Sequence, residues 1–147
     1  THFFVQNKDS IDLLINNKST ELEYLNYIYS LKTSSLIKSC IILPAMLTKN
    51  ITKDEFLKLE EFASILGISF QIKDDLLGYM CSSTTLGKTQ GKDEQRNQPN
   101  YINLLGLGKT EKKLEENKKC IDKLLKDLAL EKSMLHNISN YIFNRSF

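Results

Sequence analysis

Only two prolines interrupt the 147 residues, and no stretch alternates apolar and polar side chains as a half-buried strand would. A β-rich fold is thereby excluded, and the chain reads as all-α. An excess of charge of one sign is also missing. Twenty Lys and Arg are balanced by 18 Asp and Glu, a net charge of +2, and the two signs are interspersed. Neither a nucleic-acid partner nor attachment to an anionic membrane is expected from that balance. The longest apolar run, Cys40 to Leu47, is far too short to span a bilayer. The three cysteines, Cys40, Cys81 and Cys120, share no metal-ligand spacing, so reduced thiols and a cytoplasmic location are expected.

What is present is helical punctuation. Thr20-Glu21-Leu22-Glu23 has the form of a capping box and predicts a helix to about Ser30. Lys32 to Leu47 predicts a second, bent near Pro44. Thr52-Lys53-Asp54-Glu55 is another capping box, opening a long helix to about Tyr79. In it Phe56, Leu59, Ala63, Leu66 and Phe70 recur at three and four, the mark of one buried face. A short helix is expected near Tyr101–Leu105, then a turn at Gly106-Leu107-Gly108. A charged helix from about Lys109 to Leu128 carries Leu114, Ile121, Leu125 and Leu128, and a last helix from about Lys132 to Asn144 carries Leu135, Ile138 and Ile142. Residues 82–100 form the only long non-periodic stretch, a length that in compact domains is usually functional or disordered.

Two local features carry chemistry. On a helical wheel Asp74 falls about 40° from Phe70, at the edge of the expected core stripe, and Gln71, Asp74, Asp75 and Gly78 share the sector beside it. Adjacent carboxylates there call for a cation, and hard oxygen ligands suit Mg²⁺, which binds through one or two carboxylates plus substrate phosphates. A solvated helix end would also account for them. Next, Leu86-Gly87-Lys88-Thr89-Gln90-Gly91-Lys92-Asp93 is a glycine-hinged loop presenting Lys88 and Lys92, point charges suited to phosphate. It is not a P-loop, because position 82 is Ser82 where a glycine is required.

Taken in order, these stretches resemble the C-terminal part of the trans-isoprenyl diphosphate synthases, in their bacterial short-chain branch of farnesyl and geranylgeranyl diphosphate synthases. Gln6-Asn7-Lys8-Asp9 is similar to that family's Gln-x-x-Asp segment, and Lys32-Thr33-Ser34-Ser35-Leu36 to its Lys-Thr-x-x-Leu helix start. Phe70-Gln71-Ile72-Lys73-Asp74-Asp75-Leu76-Leu77 resembles the second aspartate-rich motif, and Leu86-Gly87-Lys88 with Gly91-Lys92-Asp93 the lysine loop. Tyr101 with Leu104-Leu105-Gly106-Leu107, and Tyr141-Ile142 with Arg145, match the closing segments.

The resemblance implies a helical bundle of the isoprenoid-synthase type, usually homodimeric. Residues 1–147 would be the C-terminal part of one polyprenyl synthase domain, with a partner segment upstream. It implies Mg²⁺-assisted ionisation of an allylic diphosphate and attack by isopentenyl diphosphate. Asp74 and Asp75 would bind metal; Lys32, Lys88 and Lys92 would bind diphosphate; Lys32, Thr33 and Gln71 would serve the reaction centre.

Departures from the family pattern point to a second expectation, a catalytically weakened or silent helical subunit of the same fold. Asp74-Asp75 is the only adjacent Asp pair, so the first acidic motif would have to lie upstream, and this chain alone is expected to be inactive. Gly78 stands where the second motif usually has its third aspartate. Gln98, Asn100, Phe147 and Val5 replace a lysine, a threonine, a lysine and a glycine.

Overall fold

The computed structural model describes residues 18–84 and 99–146. Among the described residues no strand occurs, as expected for an all-α chain. Seven segments follow in order: α1 (Lys18–Tyr29), a kinked turn (Ser30–Ser34), α2 (Ser35–Leu47), α3 (Lys53–Thr84), α4 (Tyr101–Leu105), α5 (Leu107–Asp127) and α6 (Met134–Asn144). Helix α3 is the central post. Helices α1, α2, α4, α5 and α6 and the kinked turn all pack against it.

The Thr52 capping box forms as read. Thr52 Oγ1 accepts from the Glu55 N–H at 3.2 Å while Glu55 Oε2 accepts from the Thr52 N–H at 2.8 Å. The Thr20 box does not start its helix, because α1 already runs at Lys18 and places Thr20 inside it. Asn100 and Ser133 are the side-chain caps of α4 and α6, accepting from the Asn103 and His136 N–H groups. Between α4 and α5 the turn shrinks to Gly106 alone, whose φ of +81° is open to glycine at little cost. Its carbonyl takes both the N–H and the hydroxyl of Thr110, so α5 begins at Leu107, two residues earlier than its charge pattern indicates.

The expected bend at Pro44 is replaced by a break at Lys32. Helix α2 runs through Pro44, whereas Lys32 leaves helical geometry at φ −77°, ψ −127°. Serines cover the carbonyls around this break: Ser30 Oγ donates to Tyr27 O and Ser35 Oγ to Lys32 O. The break sits hard against α3. A Cβ built on Gly67 would lie 2.6 Å from Ser34 Cβ and 2.7 Å from Ser34 Cα, so only glycine permits this approach.

The buried line of α3 is also rotated from the one read in the sequence. Of the positions read, Ala63 and Leu66 are buried, with Phe62, Ser69, Ile72 and Leu76 beside them, while Phe56, Leu59 and Phe70 are only half-buried. The reason is that α5, α6 and α1 press on flanks of α3 that a single-stripe reading leaves to solvent. They contribute Leu114, Ile121, Leu125, Phe143, Leu25 and Tyr29 to the same core. A buried bond from Asn117 Nδ2 to Ser69 Oγ, 3.0 Å, fixes α5 on α3 in register. In α6 the inward residues are Ser139, Ile142 and Phe143, and Ile138 faces outward.

By length and hydropathy the stretch Glu21–Leu47 reaches the composition of a membrane-crossing helix, with a mean hydropathy of 1.2. It is broken at Lys32, and its Leu25 and Tyr29 lie in the shared core. On α2, Leu36, Leu43, Met46 and Leu47 remain exposed.

Candidate functional site

Close packing of the kinked turn on α3 brings the sequence-predicted residues Lys32, Thr33, Gln71, Asp74 and Asp75 onto neighbouring elements. Lys32 is exposed at the break and Thr33 is half-buried beside it. Gln71 is buried, Asp75 half-buried and Asp74 exposed. The order of the two carboxylates is thus the reverse of the wheel reading, which set Asp74 beside the core. Rotation of the buried line carries Asp75 inward. The predicted loop residues Lys88 and Lys92, together with Gln6 to Asp9, Val5, Gln98 and Phe147, lie outside the described residues.

Asp75 is held by two donors. The Tyr29 hydroxyl reaches its Oδ2 at 2.5 Å and the Tyr101 N–H reaches the same oxygen at 3.0 Å. The Tyr101 hydroxyl donates in turn to Asn26 Oδ1 on α1, and the two tyrosine rings stand 5.7 Å apart. Lys32 Nζ lies 5.8 Å from the centre of the Tyr29 ring. Burial pushes the Asp75 carboxyl upward from its usual value; the two hydrogen bonds oppose this, Asp74 adds to it, and Lys32 opposes it. Burial, the bond to Asp75 and that carboxylate's charge drive the Tyr29 hydroxyl far upward as well, so it stays protonated and donates. Tyr101 is pushed up to about 12, mainly by burial.

Asp74 has a different partner. The Arg145 guanidinium, from the residue that ends α6, bonds Asp74 Oδ1 through Nη2. The same nitrogen donates to the Phe70 carbonyl at 2.9 Å, and the group stacks 4.1 Å from the Phe70 ring centre. Sequence reasoning gave no site role to Tyr29, Asn26, Tyr101 or Arg145. One signal was present: 18 of the 20 basic residues are Lys, so an arginine marks a place where a planar, forked cation is needed.

The fit to magnesium rests on the donor set. Among the described residues no group of three or more His, Cys, Asp or Glu converges, so of these residues an ion would use Asp74 and Asp75 alone. Both bonds to Asp75 fall on Oδ2, and Asp74 keeps about half its side chain in solvent. One turn further on, a Cβ at Gly78 would meet nothing within 4 Å. Two adjacent carboxylates, one half-exposed and the other with both described bonds on one oxygen, fit an Mg²⁺ ion whose other ligands are water and phosphate.

Comparison with known proteins decides the family. A family model described as polyprenyl synthetase matches residues 5–141. The chain belongs to the polyprenyl synthetase family. Among polyprenyl synthetases and related enzymes, a dimethylallyltranstransferase of Fischerella ambigua is 35% identical over 133 residues, 88% of this chain and 37% of that protein. The farnesyl diphosphate synthase of Escherichia coli is 32% identical over 140 residues, 93% of this chain and 47% of that enzyme. A geranylgeranyl pyrophosphate synthase from the chloroplast of Capsicum annuum is 43% identical over 93 residues, 63% of this chain and 25% of its own. The chain thus spans less than half the length of these curated relatives. The all-α architecture is the one expected of the isoprenoid-synthase bundle.

Proposed function

We propose that this chain is the C-terminal part of a trans-prenyltransferase domain that condenses isopentenyl diphosphate with an allylic diphosphate. The observation that carries the reading is the sharing of Tyr29 by Lys32 and Asp75: a cation stands 5.8 Å from the ring centre, and the carboxylate takes the hydroxyl of the same side chain. A metal-bridged diphosphate needs both, carboxylates for the ion and lysines for the remaining anionic oxygens. Magnesium, when bound, supplies charge neutralisation of the leaving diphosphate. Asp74 and Asp75 hold it. Lys32 takes diphosphate oxygen, with Lys88 and Lys92 of the following loop. The side-chain oxygens of Thr33 and Gln71 face developing positive charge on the allylic carbon, and little more than positioning and electrostatics is asked of the protein. The exposed Leu36, Leu43, Met46 and Leu47 support burial of α2 in a larger assembly, a homodimer in this reading.

A chimera tests this directly: the chain replaces the matching region of the Escherichia coli farnesyl diphosphate synthase. Extractable prenyl product that requires Mg²⁺ and falls by orders of magnitude with Asp74→Ala supports the proposal. Unchanged turnover in that variant refutes the metal role. A second reading, a weakened or silent subunit, is favoured by the open space where Gly78 lacks a carboxylate. It predicts a folded chimera without product, in which Gly78→Asp restores some.

A further inference from the structure

Arg145 makes more contacts than the end of a terminal helix requires. Its side chain is 16% exposed against 47% for that of Asp74, so the positive partner is the more enclosed of the two. One nitrogen serves both the Phe70 carbonyl and Asp74 Oδ1, and the Phe70 ring covers one face. Its Nε is buried without an acceptor among the described residues. The group is therefore anchored by stacking and by one carbonyl, yet incompletely satisfied, and its bond to Asp74 is the contact nearest solvent.

Charge makes the consequence plain. Asp74 and Asp75 would offer an arriving dication two negative charges, and the guanidinium bound to Asp74 cancels one of them. We propose that Arg145 is a displaceable counter-cation of Asp74, which a divalent metal must displace in order to bind. Metal loading then loosens the guanidinium, and with it the end of α6, because Arg145 is the C-cap of that helix. Arginine suits the task where lysine would not. Without metal its planar group serves the Phe70 carbonyl, the Phe70 ring and the carboxylate at once, so loss of the carboxylate weakens the whole anchor. The inference rests on the magnesium reading of Asp74 and adds to it a coupling between that site and the end of α6.

The test is Mg²⁺ binding by titration calorimetry on the whole chain, with wild type, Arg145→Gln, Asp74→Asn and the double variant. Arg145→Gln should bind Mg²⁺ roughly fivefold tighter, the size of a lost exposed ion-pair competitor, and the gain should vanish in the Asp74→Asn background. Equal or weaker binding by Arg145→Gln, or a gain that persists without Asp74, overturns the counter-cation role while leaving the metal site standing. No Mg²⁺ binding by any variant overturns both. A second measurement needs no variant at Arg145. Trypsin cleavage after Arg145, followed by mass spectrometry, should quicken with Mg²⁺ in wild type and not in Asp74→Asn. A rate indifferent to Mg²⁺ in wild type contradicts release.

Discussion

The Tyr29 hydroxyl donates to Asp75 Oδ2 at 2.5 Å, joining residues 46 positions apart. This bond ties α1 to α3 at the level of the acidic pair, and the Tyr101 N–H, 3.0 Å from the same oxygen, adds α4. Removing the hydroxyl alone, with Tyr29→Phe, keeps the buried ring and leaves Asp75 short of one donor. The expected loss is about 1.5–3 kcal/mol in urea denaturation, typical for a bond to a charged group. A variant as stable as wild type would show that the bond contributes nothing.

Asp75 also sets a pH dependence. Its carboxyl titrates above its usual value when folded, mainly because it is buried. The folded state therefore holds the proton more tightly than the unfolded state does. This contribution to stability is full below the unfolded value and is lost as pH rises through the folded one. Asp75→Asn, which can still accept from Tyr29 and Tyr101, should then be the more stable protein at neutral pH without metal. Its advantage should shrink as pH falls through the carboxylate range. Thermal melts of both proteins across that range check the sign, and an advantage that grows towards acid pH would reverse it.

The third prediction concerns how the kinked turn reaches α3. Gly67→Ala would place a methyl 2.6 Å from Ser34 Cβ and 2.7 Å from its Cα. Overpacking of this kind costs about 1–3 kcal/mol and should push Lys32 and Thr33 away from α3. Ser34→Gly in the same chain should recover part of the loss, since the side chain is one of the two obstacles; a double-mutant cycle reads the coupling. Additive effects would mean that the two residues do not compete for space.

How much of this was legible in the sequence depends on the range of the interaction. The Thr52 box could be read because both its bonds lie within three residues. Of the apolar positions read for α5, Leu114, Ile121 and Leu125 are buried because that helix buries a single face, while Leu128 is its half-buried C-cap. Helix α3 is different. Packed on several sides, its buried line is set by partners far along the chain, so the wheel placed Asp74 inward where Asp75 goes. The contacts that define the site, Tyr29 with Asp75 and Arg145 with Asp74, span 46 and 71 residues. No local pattern encodes such pairings. The break at Lys32 escaped for a related reason: proline is the expected cause of a bend, but Pro44 lies within a continuous α2, and the break forms where Ser34 meets Gly67.

Gly78 offers a gain rather than a loss. Open space around its position allows Gly78→Asp without strain, and aspartate there sits one helical turn from Asp74. The substitution should lower the Mg²⁺ concentration for half-saturation roughly tenfold, about 1.4 kcal/mol, with no loss of thermal stability. An unchanged or raised concentration would show that a carboxylate at this turn does not reach the ion.

The most direct measurement of the central claim is binding of inorganic pyrophosphate to the chain by titration calorimetry, with and without Mg²⁺. Acidic residues that hold a metal-bridged diphosphate should give binding that requires Mg²⁺ and disappears in the Asp74→Asn/Asp75→Asn double variant. Binding of equal strength without Mg²⁺, or retained when both carboxylates are gone, would contradict the account.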